Sequence, residues 1–149
     1  MKGGWLINFN LNQNAKGEIY RSADAGKTWT LINFDEDETS DRNVFTIQFD
    51  PNNSDVAYLG AGKGIFKSTD AGLTWTKIKA PDNTKRHQGL YLSPDGKVIY
   101  ATYIKNGRNG SIYASQTSSI NWEEVIYGNG DIILGEYNFW YPEVDSRSI

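Results

Sequence analysis

The 149-residue chain contains no cysteine and a single histidine, His87. The absence of cysteine excludes disulfides, thiolate catalysis and the usual zinc sites. One histidine is too few for a histidine-rich metal site. With 15 basic and 18 acidic residues the net charge is −3, so no positive field is available to hold nucleic acid or an anionic membrane.

Long apolar runs are also missing. No stretch approaches the roughly 20 apolar residues of a membrane span, and the amino-terminal MKGGWLINFN lacks the apolar run of a signal peptide. We therefore predict no membrane span, no nucleic-acid partner and no cofactor. What the chain does contain is 38% apolar and 13% aromatic residues, which is enough to build one sizeable core.

A ten-residue unit recurs along the chain. RSADAGKTWT begins at Arg21 and KSTDAGLTWT at Lys67, 46 residues later. A third, altered copy lies in IYASQTSSINWEEV, which begins at Ile112. In this copy Thr117 and Ser119 replace the aspartate and the glycine. Self-similarity at a fixed period of this length indicates a repeat architecture.

The segments between the copies have the character of strands. NVFTIQF and DVAYLGAG precede the second copy, and QGLYLS and KVIYATYI precede the third. They are rich in β-branched and aromatic residues and are separated by the turn clusters DPNNSD and SPDG. Each repeat is therefore predicted to be four short antiparallel strands, lettered A to D, with the ten-residue unit at the turn from C to D. No helical period is present.

A period of about 40 to 50 residues with four strands is typical of a β-propeller blade. A β-sandwich does not require a near-identical turn in each repeat. We predict an all-β fold of about three blades: a blade remnant over 1–34, blades over 43–79 and 87–127, and the start of a further blade over 128–149. Because propellers close with typically four to eight blades, we expect a segment of a longer protein, with the remaining blades as its partners.

The ten-residue unit has a local structural explanation. Aspartate and serine side chains accept hydrogen bonds from the amides of a tight turn, glycine supplies a positive φ, and tryptophan buries a large ring beside the turn. We therefore interpret the unit as a structural part rather than a catalytic or metal site. The residues assigned to it are Ser22, Asp24, Gly26, Thr28, Trp29, Ser68, Asp70, Gly72, Thr74, Trp75, Ser115 and Trp122.

The strings SADAGKTW and STDAGLTW resemble the Asp-box, or BNR, repeat, whose pattern is Ser-x-Asp-x-Gly-x-Thr-Trp. This repeat occurs in the propellers of sialidases, xyloglucan-cleaving glycoside hydrolases, sortilin-type receptors and photosystem assembly factors. The text FDPNNSDVAYLGAGKGIFKSTDAGLTWTKI is most similar to blades of the xyloglucanase-like hydrolases, and the tail FWYPEV is similar to a Trp-Trp-Pro-Asp stretch in that group. Those enzymes use two aspartates in a cleft between two propellers, and neither can be placed here. The sialidase arginine triad and Tyr/Glu pair also have no match.

The resemblance implies a segment of a larger, secreted, glycoside hydrolase-like protein, extracellular or periplasmic, that is not catalytic by itself. Two alternatives stay open. One is a non-catalytic propeller that binds protein or glycan, as a sortilin-like or assembly-factor-like scaffold. The other is a purely structural repeat array. The expected ligand is accordingly a glycan or a protein.

Any ligand site is expected at the end of the blades opposite the repeated turns, where the B–C and D–A loops lie, because loops on a rigid scaffold usually carry function. We expect His87 to line a polar cleft there, and aromatic rings to stack on sugars. The ligand-binding residues predicted on this basis are His87, Gln88, Arg108, Tyr103 and Trp140, with Trp5, Tyr91 and Tyr141 as further aromatic platforms.

The loop DEDETSD also lies in this set. Asp35, Asp37, Thr39 and Asp41 stand at alternate positions, as in an oxygen-ligand calcium loop. The loop lacks the following glycine and the distal glutamate of an EF-hand, so a solvated acidic loop is the favoured interpretation. No metal is predicted, and calcium at these three aspartates remains the weaker alternative.

Overall fold

The computed structural model describes residues 6–10, 18–32, 44–62, 64–104 and 110–126. Every regular element in these ranges is a β-strand, and the strands form three separate antiparallel sheets in meander order. The all-β prediction, with four-stranded antiparallel blades of an incomplete propeller, is confirmed. The predicted further blade over 128–149 lies outside the described residues.

The three sheets follow one another along the chain, and we call them blades 1, 2 and 3. Blade 1 contains β1 (Leu6–Asn10), β2 (Glu18–Ser22) and β3 (Thr30–Ile32). Blade 2 contains β4 (Val44–Phe49), β5 (Ala57–Ala61), β6 (Gly64–Ser68) and β7 (Thr76–Ile78). Blade 3 contains β8 (His87–Leu92), β9 (Val98–Ile104), β10 (Gly110–Gln116) and β11 (Ser119–Ile126).

The apolar core lies between blades rather than inside any one of them. The strand β5 is buried along its whole length, because alternate side chains of a strand point to opposite faces and both faces of blade 2 are covered. Leu59 packs toward blade 1 with Ile19, whereas Tyr58 packs toward blade 3 with Leu90. The sequence of β5 is therefore a continuous apolar run, as is usual for strands that are buried on both faces.

Blades 2 and 3 have matching registers. Counting from the serines of the two turns, Ala57 pairs with Ser68 as Ile99 pairs with Ser115. Both first strands also carry an irregularity at the same place, in β4 after Val44 and in β8 after His87. His87 thus occupies in blade 3 the position that Val44 occupies in blade 2.

One glycine allows the close approach of these two blades. A Cβ added to Gly60 in β5 would lie 2.5 Å from the backbone oxygen of His87 and 2.8 Å from Cγ2 of Thr46. Since Cβ atoms do not approach other heavy atoms so closely, only glycine lets β8 pack against β5 at this distance. The contact fixes the start of β8 against the middle of blade 2.

Candidate functional site

The first two copies of the ten-residue unit fold into the same hydrogen-bonded turn. In blade 2, Ser68 Oγ donates to Asp70 Oδ1 at 2.9 Å and accepts from the amide of Gly72 at 2.9 Å. Asp70 then accepts from the amide and the hydroxyl of Thr74 at 2.9 and 2.6 Å. The corresponding distances in blade 1 agree within about 0.1 Å.

These hydrogen bonds keep both aspartates ionised. The hydroxyl and amide of Thr28, with Ser22, lower the pKa of Asp24 to about 2. Burial acts to raise the pKa of Asp70, but the hydrogen bonds from Thr74 and Ser68 outweigh it, so this pKa also lies below its ordinary value. A carboxylate held in this way is a poor proton donor, because a general acid needs a raised pKa.

Each of these two turns also contains an alanine whose backbone conformation the sequence does not reveal. Gly26 and Gly72 have φ values of 85° and 78°, as their place in the motif leads one to expect. The preceding alanines, Ala25 and Ala71, adopt positive φ as well, at 59° and 58°. This left-handed conformation costs an L-residue roughly 1–2 kcal/mol, so the side-chain hydrogen bonds around the turn must hold it in place.

The tryptophans of the three copies differ in burial, and one expectation is corrected. Trp75 is only 9% exposed and belongs to the core between blades 1 and 2. Trp122 packs on the core between blades 2 and 3 and donates from Nε1 to the carbonyl of Lys79 at 2.7 Å. The prediction that Trp29 buries its ring is wrong, because this side chain is 42% exposed and no sheet among the described residues precedes blade 1 on that side.

The third copy keeps the serine and replaces the rest. Ser115 is buried and its Oγ accepts from the amide of Asn121 at 2.7 Å. Thr117, which stands where the other copies have aspartate, donates to the carbonyl of Gly96 at 2.8 Å, and its amide donates to the carbonyl of Lys97 at 2.9 Å. The third turn therefore keeps the serine bond but has no aspartate to close it, and the amide and hydroxyl of Thr117 tie it to the turn between β8 and β9.

We call the end of the blades where the repeated turns lie the turn end, and the opposite end the loop end. At the turn end, hydrogen bonds connect one blade to the next. Arg21 Nε in blade 1 donates to the carbonyl of Ala71 in blade 2, and Asn52 Nδ2 in blade 2 donates to the carbonyl of Asp95 in blade 3 at 2.8 Å. These polar side chains are used to connect one blade to the next. This end of the molecule therefore has a structural explanation that needs no ligand.

A different set of polar side chains lies at the opposite end of blade 3. His87 begins β8 and is fully buried, and its ring meets that of Tyr103 edge to face at a centroid distance of 5.7 Å. Tyr103, which is 6% exposed, stacks on Tyr113 at 5.3 Å, and the two phenol oxygens are 3.1 Å apart. Tyr113 is in turn hydrogen-bonded to the side chain of Glu124. We call these four residues the polar row.

The polar row crosses all four strands of the blade, from β8 to β11. Burial, with the hydrogen bonds to Tyr103 and Glu124, raises the pKa of Tyr113, so its phenol stays protonated at neutral pH. Burial lowers the pKa of His87, so its imidazole is neutral. The row therefore presents a neutral imidazole and a protonated phenol in a largely apolar setting, where hydrogen-bonding groups interact strongly.

Blade 2 provides an internal comparison for the row. The positions that match His87, Tyr103, Tyr113 and Glu124 by register are Val44, Ala61, Phe66 and Lys77. The first three are apolar and buried, and the Lys77 ammonium lies over the Phe66 ring at 5.9 Å. A blade thus forms without any of the four polar groups. Their presence in blade 3 is not a requirement of the scaffold.

Sequence reasoning selected only two members of the polar row, His87 and Tyr103. Tyr113 and Glu124 were missed because each lies in a strand where a tyrosine or a glutamate is unremarkable. When the third repeat is aligned with the second, Tyr113 takes the position of Phe66 and Glu124 takes the position of Lys77. The signal was present in the repeat, but the contact between these side chains required the strand register.

The other predicted ligand residues are distributed differently. Gln88 lies in β8 at the irregularity that follows His87. Tyr91 is 51% exposed and lies near the turn end of β8, away from the loop end, with its ring 6.0 Å from that of Tyr100. The residues that fall outside the described part of the chain are Trp5, Asp35, Asp37, Asp41, Arg108, Trp140 and Tyr141.

Neither a cluster of metal-ligating side chains nor a membrane-spanning helix occurs in the described ranges of the chain. Within these ranges, no group of three or more histidine, aspartate or glutamate side chains is arranged to hold a metal ion. In the same part of the chain, no helix is long and apolar enough to cross a membrane.

Two solved structures are similar to this chain. Among solved structures, an ancestral GH74 enzyme is 39% identical with a TM-score of 0.67, over 72% of this chain and 15% of that chain. A proposed 6-phosphogluconolactonase from Bacteroides uniformis is 19% identical with a TM-score of 0.44, over 86% of this chain and 42% of that chain. No curated protein matches the chain significantly.

The chain thus spans a small part of the GH74 enzyme that it resembles. Its sequence also matches a family model over residues 17–132, well over half of its length. That model describes Sortilin-Vps10, given as sortilin, neurotensin receptor 3. The protein is a β-propeller chain with GH74-like blades, and it belongs to the Sortilin-Vps10 family.

Proposed function

We propose that this chain is a propeller segment of a larger, secreted, carbohydrate-active protein, that it binds glycan at the loop end of blade 3, and that it is not catalytic by itself. The observation that carries the proposal is the 39% identity to a GH74 enzyme over most of this chain but only 15% of that one. A segment of this size supplies blades and a binding surface, whereas a cleft between propellers needs further blades.

Four aspartates of the described residues support the non-catalytic part of the proposal. Glycoside hydrolysis needs two carboxyl groups on one cleft, one of them with a raised pKa. Asp24 and Asp70 close their own turns, and the pKa of Asp95 is held low by hydrogen bonds from Ser93 and the amide of Lys97. At the loop end, hydrogen bonds from Thr84 likewise lower the pKa of Asp82. None of these four groups suits a general acid.

The place of the glycan contact follows from the chemistry of the two ends. At the turn end, polar side chains are engaged in connecting blades. At the loop end, the connection between blades 2 and 3 exposes Asn83, Thr84 and Arg86 directly before the buried His87. Amide, hydroxyl and guanidinium groups on a rigid base suit the hydroxyls of a sugar. The buried His87 and Tyr103 act here as support rather than as the contact surface.

A second function has its own supporting observation. The Sortilin-Vps10 family model covers residues 17–132, and its description names sortilin as neurotensin receptor 3. Sortilin is thus named as a receptor. On this alternative the same loop end contacts a protein ligand, and glycan has no measurable affinity for it.

The test uses one exposed cation at each end of the blades. Arg86→Ala changes the loop end, and Lys97→Ala, whose side chain is 76% exposed at the turn end, is the matched control. In native gels containing xyloglucan, we expect the chain to be retarded. Arg86→Ala should weaken this binding by about 3- to 10-fold through the loss of hydrogen bonds, and Lys97→Ala should leave it unchanged.

The same preparation is incubated with xyloglucan, β-glucan and a sialoside, and we expect no release of reducing sugar. Release that a single aspartate-to-asparagine change abolishes would overturn the non-catalytic assignment. If none of the three glycans retards the chain, glycan binding is overturned and the protein-binding alternative is favoured. Equal loss with both variants would show nonspecific charge attraction and remove the loop end as the site.

A further inference from the structure

We propose that His87 is a protonation-controlled latch that holds the connection between blades 2 and 3, residues 79–86, against the start of β8. When the imidazole is neutral the connection is closed, and when it takes up a second proton the connection opens. The inference does not depend on glycan binding, because it concerns an equilibrium of the chain itself.

The hydrogen bond that forms the latch determines the tautomer of the imidazole. His87 Nε2 lies 2.9 Å from the carbonyl oxygen of Asp82. A carbonyl can only accept, so Nε2 carries the hydrogen. In the neutral ring Nδ1 then carries a lone pair, and among the described residues this buried atom has no hydrogen-bond partner. A proton added at Nδ1 would create a buried N–H and a positive charge with no acceptor.

Other hydrogen bonds of the connection lie within it, including one from the Ala80 amide to Asn83 Oδ1 at 3.1 Å. The Asp82 carbonyl also accepts from the amide of Lys85 at 3.2 Å, and the Asp82 carboxylate accepts from the amide and hydroxyl of Thr84. These contacts are local to the connection. The hydrogen bond from His87 ties the middle of the connection to the sheet, Trp122 holds its first residue through the carbonyl of Lys79, and Ala80 is buried in the core between blades 2 and 3.

The surroundings of His87 offer little compensation for a positive charge. From its own blade the facing titratable groups are Tyr103, with Tyr113 and Glu124 beyond it in the polar row. From blade 2 the backbone of Gly60 approaches the backbone oxygen of His87, and glycine does not titrate.

From the connection the facing group is Asp82, whose carbonyl hydrogen bond and charge both act to raise the pKa of His87, and the neighbouring charges are the cations Lys85 and Arg86. Burial outweighs the effect of Asp82, so the pKa of His87 lies below its ordinary value.

The sign of the pH dependence follows from this. The opened or unfolded chain carries an ordinary histidine with a pKa of about 6.5. As pH falls below that value the opened state binds a proton that the closed state does not. The closed state is therefore destabilised relative to the opened state below about pH 6.5 and keeps its full stability above that pH. The lowered pKa values of Asp24, Asp70, Asp82 and Asp95 place their titration well below this window.

The experiment exploits the single histidine of the chain. Proton NMR of the imidazole gives its titration without assignment, and amide hydrogen exchange of residues 80–86 reports opening. In the wild-type chain we expect a midpoint below 6.5. From pH 7.5 to pH 5.5, after correction for the intrinsic rate, exchange protection of the connection should fall by up to about tenfold.

Two variants separate the latch from simple packing. His87→Gln keeps an N–H donor toward the Asp82 carbonyl but does not titrate, so its protection should be equal at both pH values. His87→Val introduces the residue of blade 2 at this position, so protection of the connection should be lower at both pH values and equally independent of pH.

A midpoint at or above 6.5 would overturn the proposal. So would a loss of protection in His87→Gln equal to that in the wild-type chain. If His87→Val does not fold, His87→Gln and the NMR titration decide the matter by themselves. Loss of glycan retardation with an intact pH response would count against the proposed function alone.

Discussion

Asp70 accepts three hydrogen bonds that each replace a contact with water, and the buried Ser68 beside it accepts two more from the turn amides. Together the two side chains satisfy a turn whose backbone is in the left-handed region at Ala71 and Gly72. At the scale of the residue, the motif is therefore explained by the demands of its own backbone.

Replacing Asp70 by alanine should lower the free energy of unfolding by about 1 to 2 kcal/mol, because three acceptor contacts are lost in a largely solvated turn where water takes over part of them. Thr69→Ala, which changes an exposed neighbour, is the control and should alter it little. Denaturant titration measures both. Unchanged stability combined with loss of glycan retardation would show that Asp70 serves a ligand instead of the turn.

At the scale of the element, the three turns differ in how they are closed. The first two are closed by an aspartate within the turn, and the second is also tied to its neighbouring turn by the amide of Ala71, which donates to the carbonyl of Asp55 at 2.9 Å. The third has no aspartate and is held by Thr117 to the neighbouring turn through Gly96 and Lys97. A turn that depends on a partner outside itself opens whenever that partner moves. The structure thus gives a mechanism for a difference that the sequence suggests only through the missing aspartate and glycine.

We therefore expect amide hydrogens at 117–121 to exchange faster than those at 70–74. Exchange measured by NMR or by mass spectrometry on overlapping peptides tests this. Gly96→Ala should speed exchange at 117–121 further, since Gly96 has a φ of 70° and its replacement strains the turn that holds Thr117. Equal protection in all three turns would contradict the expectation.

At the scale of the whole molecule, the apolar contacts run from blade to blade. Trp75 and Trp122 each pack on the preceding blade, whereas Trp29 has the same place in its repeat and is left exposed. Tyr91 is exposed on blade 3. Exposed aromatic rings at both ends of a stack of sheets favour association with further sheets.

The isolated chain should accordingly self-associate at micromolar or higher concentrations. Trp29→Ser should reduce the association seen by light scattering, and Leu73→Ser, which changes a still more exposed apolar side chain on a turn, should not. A monodisperse monomer that unfolds cooperatively would contradict both this expectation and the proposal that the chain is a segment of a longer propeller.

The candidate site was only half visible in the sequence. The sequence points to His87 as the sole histidine and to Tyr103 as an aromatic residue, and it predicts that both contact a ligand at the surface. Both are buried. Tyr113 and Glu124 come next to them only because β9, β10 and β11 pair in one particular register, and pairing between strands is a long-range property that residue spacing does not contain.

The amino-acid sequence by itself determined the repeat, the four-stranded blade and the chemistry of the turns, because these depend on the period of the apolar residues and on side chains that bond within five residues. The tertiary structure alone decided which copies of an identical residue are buried. Trp29 and Trp75 occupy the same motif and differ in exposure, because burial of a blade face depends on the neighbouring blade that packs against it and not on the local sequence.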